Sequence, residues 1–279
     1  MAEMNLAFVD LETTGGAAGV DRITEIGIVE VDGAQGGHAS QIREWASLVN
    51  PQTRIPDFIQ QLTGISNTMV AVAPTFAELA PFVVERLNGR IFAAHNARFD
   101  YGFLKAEFAR AGIDFRATVL CTVKLSRRLF PEHRKHSLDS LIERHRLDVD
   151  HRHRALGDAR AIAQFWQHIQ EEVAVEVWSA AVNELTAAPR IPPQLDPHQI
   201  DSLPETAGVY LLYGENDVVL HIGKSRTLKK RILAHFAAKQ TSAAAVALFT
   251  SVRRIECVQR SGASADLDAL LAEVKRVRC

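Results

Sequence analysis

Val9-Asp10-Leu11-Glu12-Thr13-Thr14-Gly15 ends an apolar run, Leu6-Ala7-Phe8-Val9, with two carboxylates two positions apart. In an extended strand, residues i and i+2 project to the same side. Asp10 and Glu12 therefore leave one face of a strand together. Adjacent anions repel, so the pair costs stability unless cations neutralise it. Hard divalent ions such as magnesium accept carboxylate oxygens and serve phosphoryl chemistry.

Outward from this pair, the first half of the chain reads as α/β. Residues 6–9, 23–31 and 44–49 have the composition of three successive strands. Thr75-Phe76-Ala77-Glu78 has the form of a capping box and opens a helix expected to end near Asn88-Gly89. Residues 91–94 read as a short buried strand, and residues 98–111 as a helix stopped by Gly112. Further helices are expected over 137–145 and 154–172, the latter with Leu156, Ala159, Ile162, Ala163, Trp166 and Ile169 near helical spacing.

Two more acidic motifs follow, His95-Asn96-Ala97-Arg98-Phe99-Asp100 after the buried strand and His153-Arg154-Ala155-Leu156-Gly157-Asp158 at the start of the long helix. Asp100 and Asp158 sit among apolar residues, where an unpaired carboxylate costs several kcal/mol. A two-metal site would give all four carboxylates a partner. His153, five residues before Asp158, can take a proton from an attacking water. Phosphodiester hydrolysis is the reaction so equipped.

Together the three motifs resemble the DEDDh exonucleases, the family of the proofreading epsilon subunit of DNA polymerase III, over roughly residues 5–172. The resemblance implies a ribonuclease-H-like mixed sheet flanked by helices, two Mg2+ or Mn2+ ions, and release of nucleotides from 3′ ends. Asp10, Glu12, Asp100 and Asp158 would be the metal ligands and His153 the general base. Thr13, Thr14, His95 and Asn96, beside these motifs, are assigned to nucleic-acid binding.

Thr186-Ala187-Ala188-Pro189-Arg190-Ile191-Pro192-Pro193 interrupts helical pattern with prolines. The expected division is a first domain over 1–178, a linker over 179–200 and a second domain over 201–279. The second domain reads as a hairpin, 208–213 and 218–222, turning at Gly214-Glu215-Asn216-Asp217. A basic helix over about 228–238 and a last helix over 264–277 follow. Gly208-Val209-Tyr210 and His221-Ile222-Gly223-Lys224, with Arg231 on the basic helix and Glu273 on an apolar helix face, resemble the GIY-YIG nucleases, specifically the N-terminal nuclease domain of the DNA-repair excinuclease. This implies a small α/β GIY-YIG domain that makes internal nicks. Tyr210, His221, Lys224 and Arg231 would be its catalytic residues, Glu273 would hold one divalent metal, and Arg226 and Lys230 would contact nucleic acid. His221 replaces the first tyrosine of the usual Y-I-G. The chain stops six residues after Glu273, so the expectation is a domain truncated at its C-terminus.

The formal net charge of -1 does not announce a nucleic-acid binder. Local charge does: Arg127, Arg128, Arg134, Lys135, Arg144, Arg146, Arg152 and Arg154 crowd one region, and Lys224, Arg226, Lys229, Lys230 and Arg231 another. Three cysteines form no metal or disulfide pattern, and Cys121 is expected in the core. No apolar run approaches the ~20 residues of a membrane span. The expected protein is cytoplasmic and works in repair or proofreading on DNA, single-stranded or at 3′ ends, beside polymerase or repair proteins. Two alternatives stay open: a GIY-YIG module that only docks nucleic acid, and an RNA-directed exonuclease.

Overall fold

The computed structural model describes residues 4–33, 41–149, 152–187, 191–236, 242–259 and 271–272. The chain divides into two compact units, Met1–Thr186 and Ala187–Cys279.

In the first unit the strands are β1 (Leu6–Thr13), β2 (Ile23–Asp32), β3 (Gln41–Leu48), β4 (Ile91–Ala94) and β5 (Val119–Cys121). Its helices are α1 (Asp57–Thr63), α2 (Asn67–Ala71), α3 (Phe76–Leu87), α4 (Arg98–Arg110), α5 (Thr122–Leu129), α6 (Leu138–His145), α7 (Ala155–Glu172) and α8 (Val175–Thr186). The five strands form one mixed sheet in the order β3-β2-β1-β4-β5. β1, β2 and β3 pair antiparallel, whereas β4 joins β1, and β5 joins β4, in parallel. This is the mixed sheet flanked by helices expected from the sequence.

The two faces of β1 feed different cores. Ala7, Val9 and Leu11 pack with Ile26 and Ile28 against Phe76, Val83, Leu104 and Phe108 of α3 and α4. Leu6 and Phe8 pack with Val29 and Val31 against Ala159, Ile162 and Trp166 of α7. The capping box at Thr75 forms as expected: the Thr75 N–H donates to the Glu78 carboxylate at 2.7 Å, and the Thr75 hydroxyl accepts from the Glu78 N–H. The exposed edge strand β3 is laced by charge, with Arg43 paired to Asp32 and Glu30, which blunts edge-to-edge association.

α1, α2, β5, α5 and α8 were not expected from the sequence. β5 is only three residues long, too short to show a period. α8 buries Trp178, Ala181 and Val182 in the α7 core. Helix therefore continues through residues 179–186, where a linker was expected, because Trp178 needs apolar cover. Cys121 lies half-buried at the end of β5, at the edge of the core rather than within it.

The second unit contains α9 (Pro197–Asp201), β6 (Gly208–Tyr213), β7 (Val219–Ser225), α10 (Leu228–His235), α11 (Ala243–Ser251) and β8 (Arg254–Val258). β6 is central in an antiparallel sheet of order β7-β6-β8. The hairpin turns as expected, through a 3-10 turn at Glu215–Asp217 in which Asn216 and Asp217 take positive φ. Tyr210, Leu212, Leu228, Ile232, Phe236 and Val252 form the core on one face of this sheet. The last expected helix, with Glu273, lies outside the described residues.

Candidate metal centre

Alternation along β1 places Leu6, Phe8, Asp10 and Glu12 in one row. The row leaves the α7 core at Asp10 and Glu12, whose cross-strand partners on β2 are Gly27 and Glu25. At Gly27 a Cβ would lie 2.3 Å from the carbonyl carbon of Ala155 and 2.4 Å from the nitrogen of Leu156. Only glycine lets the start of α7 press against the sheet here. The helix has no side-chain cap of its own. Glu25 supplies one from β2, accepting the Ala155 N–H at 2.9 Å and two contacts from Arg154, at 2.5 Å from Nη2 and 3.0 Å from Nε.

This docking delivers Asp158, in the first turn of α7 and 6% exposed, to the end of β1. Oxygens of Asp10, Glu12 and Asp158 all lie within 4.8 Å of one another. Asp100, 3% exposed in the first turn of α4, accepts from the backbone N–H of Leu11, and its charge reaches both Asp10 and Glu12. The structure thus brings together the four carboxylates named from sequence.

Their electrostatics are those of anions held together. Burial, then the Asp100, Asp158 and Glu12 charges, hold the Asp10 carboxyl well above the usual range, with Arg152 opposing. Burial and the neighbouring Asp158 and Glu25 charges push Glu12 up to about 7. Burial pushes Asp100 up to about 7 against its backbone hydrogen bonds. A cluster that resists ionising alone and offers only hard oxygen donors fits divalent ions of the Mg2+ and Mn2+ kind. Asp10, Glu12, Asp158 and Asp100 are the residues that would hold them.

Arg152, grouped from sequence only with a basic cluster, occupies the rim. It donates to the Asp158 carboxylate and, at 2.7 Å, to Asp139. His153 follows in a turn at φ 58°, exposed, and among the described residues no hydrogen bond restrains it. Thr13 and Thr14 are buried and organise the loop after β1. The Thr13 hydroxyl donates to the Gly15 carbonyl at 2.6 Å, and the Thr14 hydroxyl accepts the Arg22 N–H at 3.0 Å. His95 shares a 3.1 Å hydrogen bond with the Thr122 hydroxyl, and burial lowers its pKa to about 4 against a hydrogen bond to the His136 backbone. Asn96 is exposed with φ 69°.

In the second unit, Tyr210, His221, Arg231 and an unforeseen residue, His235, share one side of the hairpin. The Tyr210 hydroxyl lies 2.7 Å from His235 Nε2 and 3.3 Å from His221 Nε2, and also hydrogen-bonds Arg231. The two imidazoles are 4.6 Å apart. Gly223 is opposite Tyr210, where a Cβ would lie 2.4 Å from the phenolic oxygen. Burial lowers the pKa of both imidazoles, that of His235 to about 4, with the Arg231 charge adding to the effect. Lys224 is not brought to this group: it pairs with Val209, and strand alternation turns it to the opposite sheet face. Arg226 and Lys230 are exposed.

Gly27, Glu25 and His235 were missed in the sequence. Glycine between Ile26 and Ile28 in a β-branched strand is itself a sign of close backbone approach. His235 stands four residues after Arg231, one helical turn on.

The family model described as Exonuclease matches residues 7–165, and the UvrC-like GIY-YIG domain model matches residues 206–278. A Mycobacterium tuberculosis protein, named as a bifunctional exonuclease/endonuclease, is 35% identical over 92% of this chain, which spans 41% of that protein. The 3′-5′ exonuclease DinG of Bacillus subtilis is 37% identical over 62% of this chain and 18% of its own length. In fold, the chain is similar to exonuclease I, with a TM-score of 0.57 at 14% identity, covering 76% of this chain and 49% of that one. The nuclease domain of 3′hExo, a DEDDh family member bound to rAMP, gives 0.53 at 21% identity, covering 61% and 94%.

Proposed function

Since this chain belongs to the exonuclease family and carries a UvrC-like GIY-YIG domain, we propose that its first unit removes nucleotides from the 3′ ends of DNA and that its second unit nicks strands internally. The observation that carries the first part is the convergence of Asp10, Glu12 and Asp158 within 4.8 Å beside buried Asp100.

Divalent ions bound there supply Lewis-acid stabilisation of charge on the phosphate and acidify water. The chain's own residues do the rest. Asp10, Glu12, Asp100 and Asp158 hold and space the cations. Gly27 and Glu25 fix the helix that carries Asp158, and the Leu11 N–H orients Asp100. His153 accepts the proton of the attacking water. A new oxygen–phosphorus bond forms, the bond to the preceding 3′ oxygen breaks, and the products are a nucleoside 5′-monophosphate and a shortened strand ending in a 3′-hydroxyl. The exposed side chain of His153, between the anchored Arg152 and Arg154, is free to tighten onto substrate as a base must.

In the second unit, Arg231 is placed to clamp a phosphate with a permanently charged fork. His235 and His221, neutral by burial, are placed to accept protons through Tyr210. Glu273 is the proposed ligand for one divalent ion. We place the activity in DNA repair or proofreading, a reading supported by relatives named 3′-5′ exonuclease DinG and DNA polymerase III PolC-type.

Polarity is tested with a single strand whose 3′-terminal linkage is non-hydrolysable. The reading requires that this block protect the strand and that the same block at the 5′ end leave degradation intact. The reverse pattern overturns it.

A further inference from the structure

A second group of metal-ligating side chains lies in the first unit, built from α6 and α7. His145 is the last residue of α6, and His168 and Glu172 are one turn apart on α7. One ligand atom from each lies within 4.8 Å of the others. The His145 and His168 rings are 4.2 Å apart, and His168 Nε2 is 2.9 Å from a Glu172 oxygen. His145 is framed by Phe130 and Phe165 at 5.4 and 5.3 Å, and its Nε2 is buried with no hydrogen-bond partner among the described residues. A buried imidazole nitrogen without a partner costs on the order of 1–3 kcal/mol, so its retention needs an explanation.

We propose that His145, His168 and Glu172 bind one borderline divalent ion of the zinc class, separate from the carboxylate centre. Two imidazoles and a carboxylate form a donor set that selects Zn2+ or Co2+ over Mg2+, with a fourth position left to water. Burial and the His168 and Arg144 charges lower the pKa of His145 to about 4, so its ring is neutral at physiological pH. The neighbouring Arg144 is directed to the Lys135 carbonyl at 2.6 Å. His168 and Glu172, at i and i+4, present their ligand atoms on one helix face, as a metal chelate requires. The ion fastens the C-terminal end of α6 to α7, the helix that carries Asp158 at its other end.

The test is Co2+ titration of the metal-stripped full chain in excess Mg2+, which occupies the hard-ligand site. The wild type should bind one equivalent with the intense visible ligand-field bands of a four-coordinate ion, and Zn2+ should abolish them. His168→Gln should lose the bands and retain Mg2+-dependent hydrolysis. Glu172→Gln, at an exposed position tolerant of change, should bind Co2+ at least about 10-fold more weakly, the scale seen even for outer-shell partners. The bands should survive Asp10→Asn. The proposal is overturned if the wild type shows no such bands, if they persist undiminished in both His168→Gln and Glu172→Gln, or if they vanish in Asp10→Asn. The last result would assign the ion to the carboxylate centre.

Discussion

Gly27 and Ala155 are in direct backbone contact: a methyl group on Gly27 would fall 2.3 Å from the Ala155 carbonyl carbon. Gly27 is also the cross-strand partner of Asp10, and Ala155 begins the helix that carries Asp158. One contact therefore sets the distance between two of the proposed metal ligands.

Gly27→Ala should force α7 away from the sheet. The obstructing atoms are backbone, so the strain cannot be relieved by rotating a side chain. Overpacking of this kind costs about 1–3 kcal/mol. A displacement near 1 Å costs catalysis about 10²-fold. The expected result is a modest fall in melting temperature with a much larger loss of kcat. Calorimetry and single-turnover hydrolysis on the same preparation check it.

Arg152 competes with cations for Asp158, since its guanidinium donates to that carboxylate. Arg152→Ala should tighten Mg2+ or Mn2+ binding, read by calorimetric titration. It should also lower the stability of the metal-free protein, because the buried anion loses its counter-charge. Weaker metal binding in the variant would contradict this role.

The raised carboxyls give a pH signature. Glu12, whose ordinary value is near 4.5, is pushed up to about 7 in the fold, as is Asp100 from 3.8. The folded state thus holds protons that the unfolded chain has released. The associated stability is present below pH ~4 and is lost as pH rises through about 7. The metal-free protein should lose thermal stability across that window, and saturating Mg2+ or Mn2+ should flatten the loss. Melting scans with and without metal across this pH range check it.

His153→Ala should slow hydrolysis by about 10²–10⁴-fold, the usual worth of a general base. Because its side chain is exposed and unrestrained, its melting temperature should not change.

The second unit should relax covalently closed circular DNA, which has no end for an exonuclease. That relaxation should survive Asp10→Asn and should fall in His235→Ala, which removes the 2.7 Å partner of the Tyr210 hydroxyl. Gel analysis of supercoiled circles distinguishes nicking from docking alone.

The carboxylates were legible because strand alternation fixes the direction of Asp10 and Glu12, and because Asp100 and Asp158 are charges inside apolar helical pattern. The five-stranded sheet followed from the same alternation, except β5, whose three residues carry no period. Arg152 was not distinguishable from the basic residues around it, since only the docked helix brings it to Asp158. His235 and Lys224 show the same limit. Strand and helix phase, once the hairpin register is set, bring the first to Tyr210 and turn the second away. Residues 179–186 of α8 were read as linker because a helix end beside prolines has weak local pattern, whereas Trp178, Ala181 and Val182 bury it.

The central claim is that Asp10, Glu12, Asp100 and Asp158 form one hydrolytic centre acting on 3′ ends. Its most direct measurement is the time course of a 5′-labelled DNA strand in Mg2+, comparing wild type with Asp158→Asn. Stepwise shortening by single nucleotides in the wild type, abolished in a folded Asp158→Asn protein, is the predicted result. Undiminished shortening in that variant would contradict the claim.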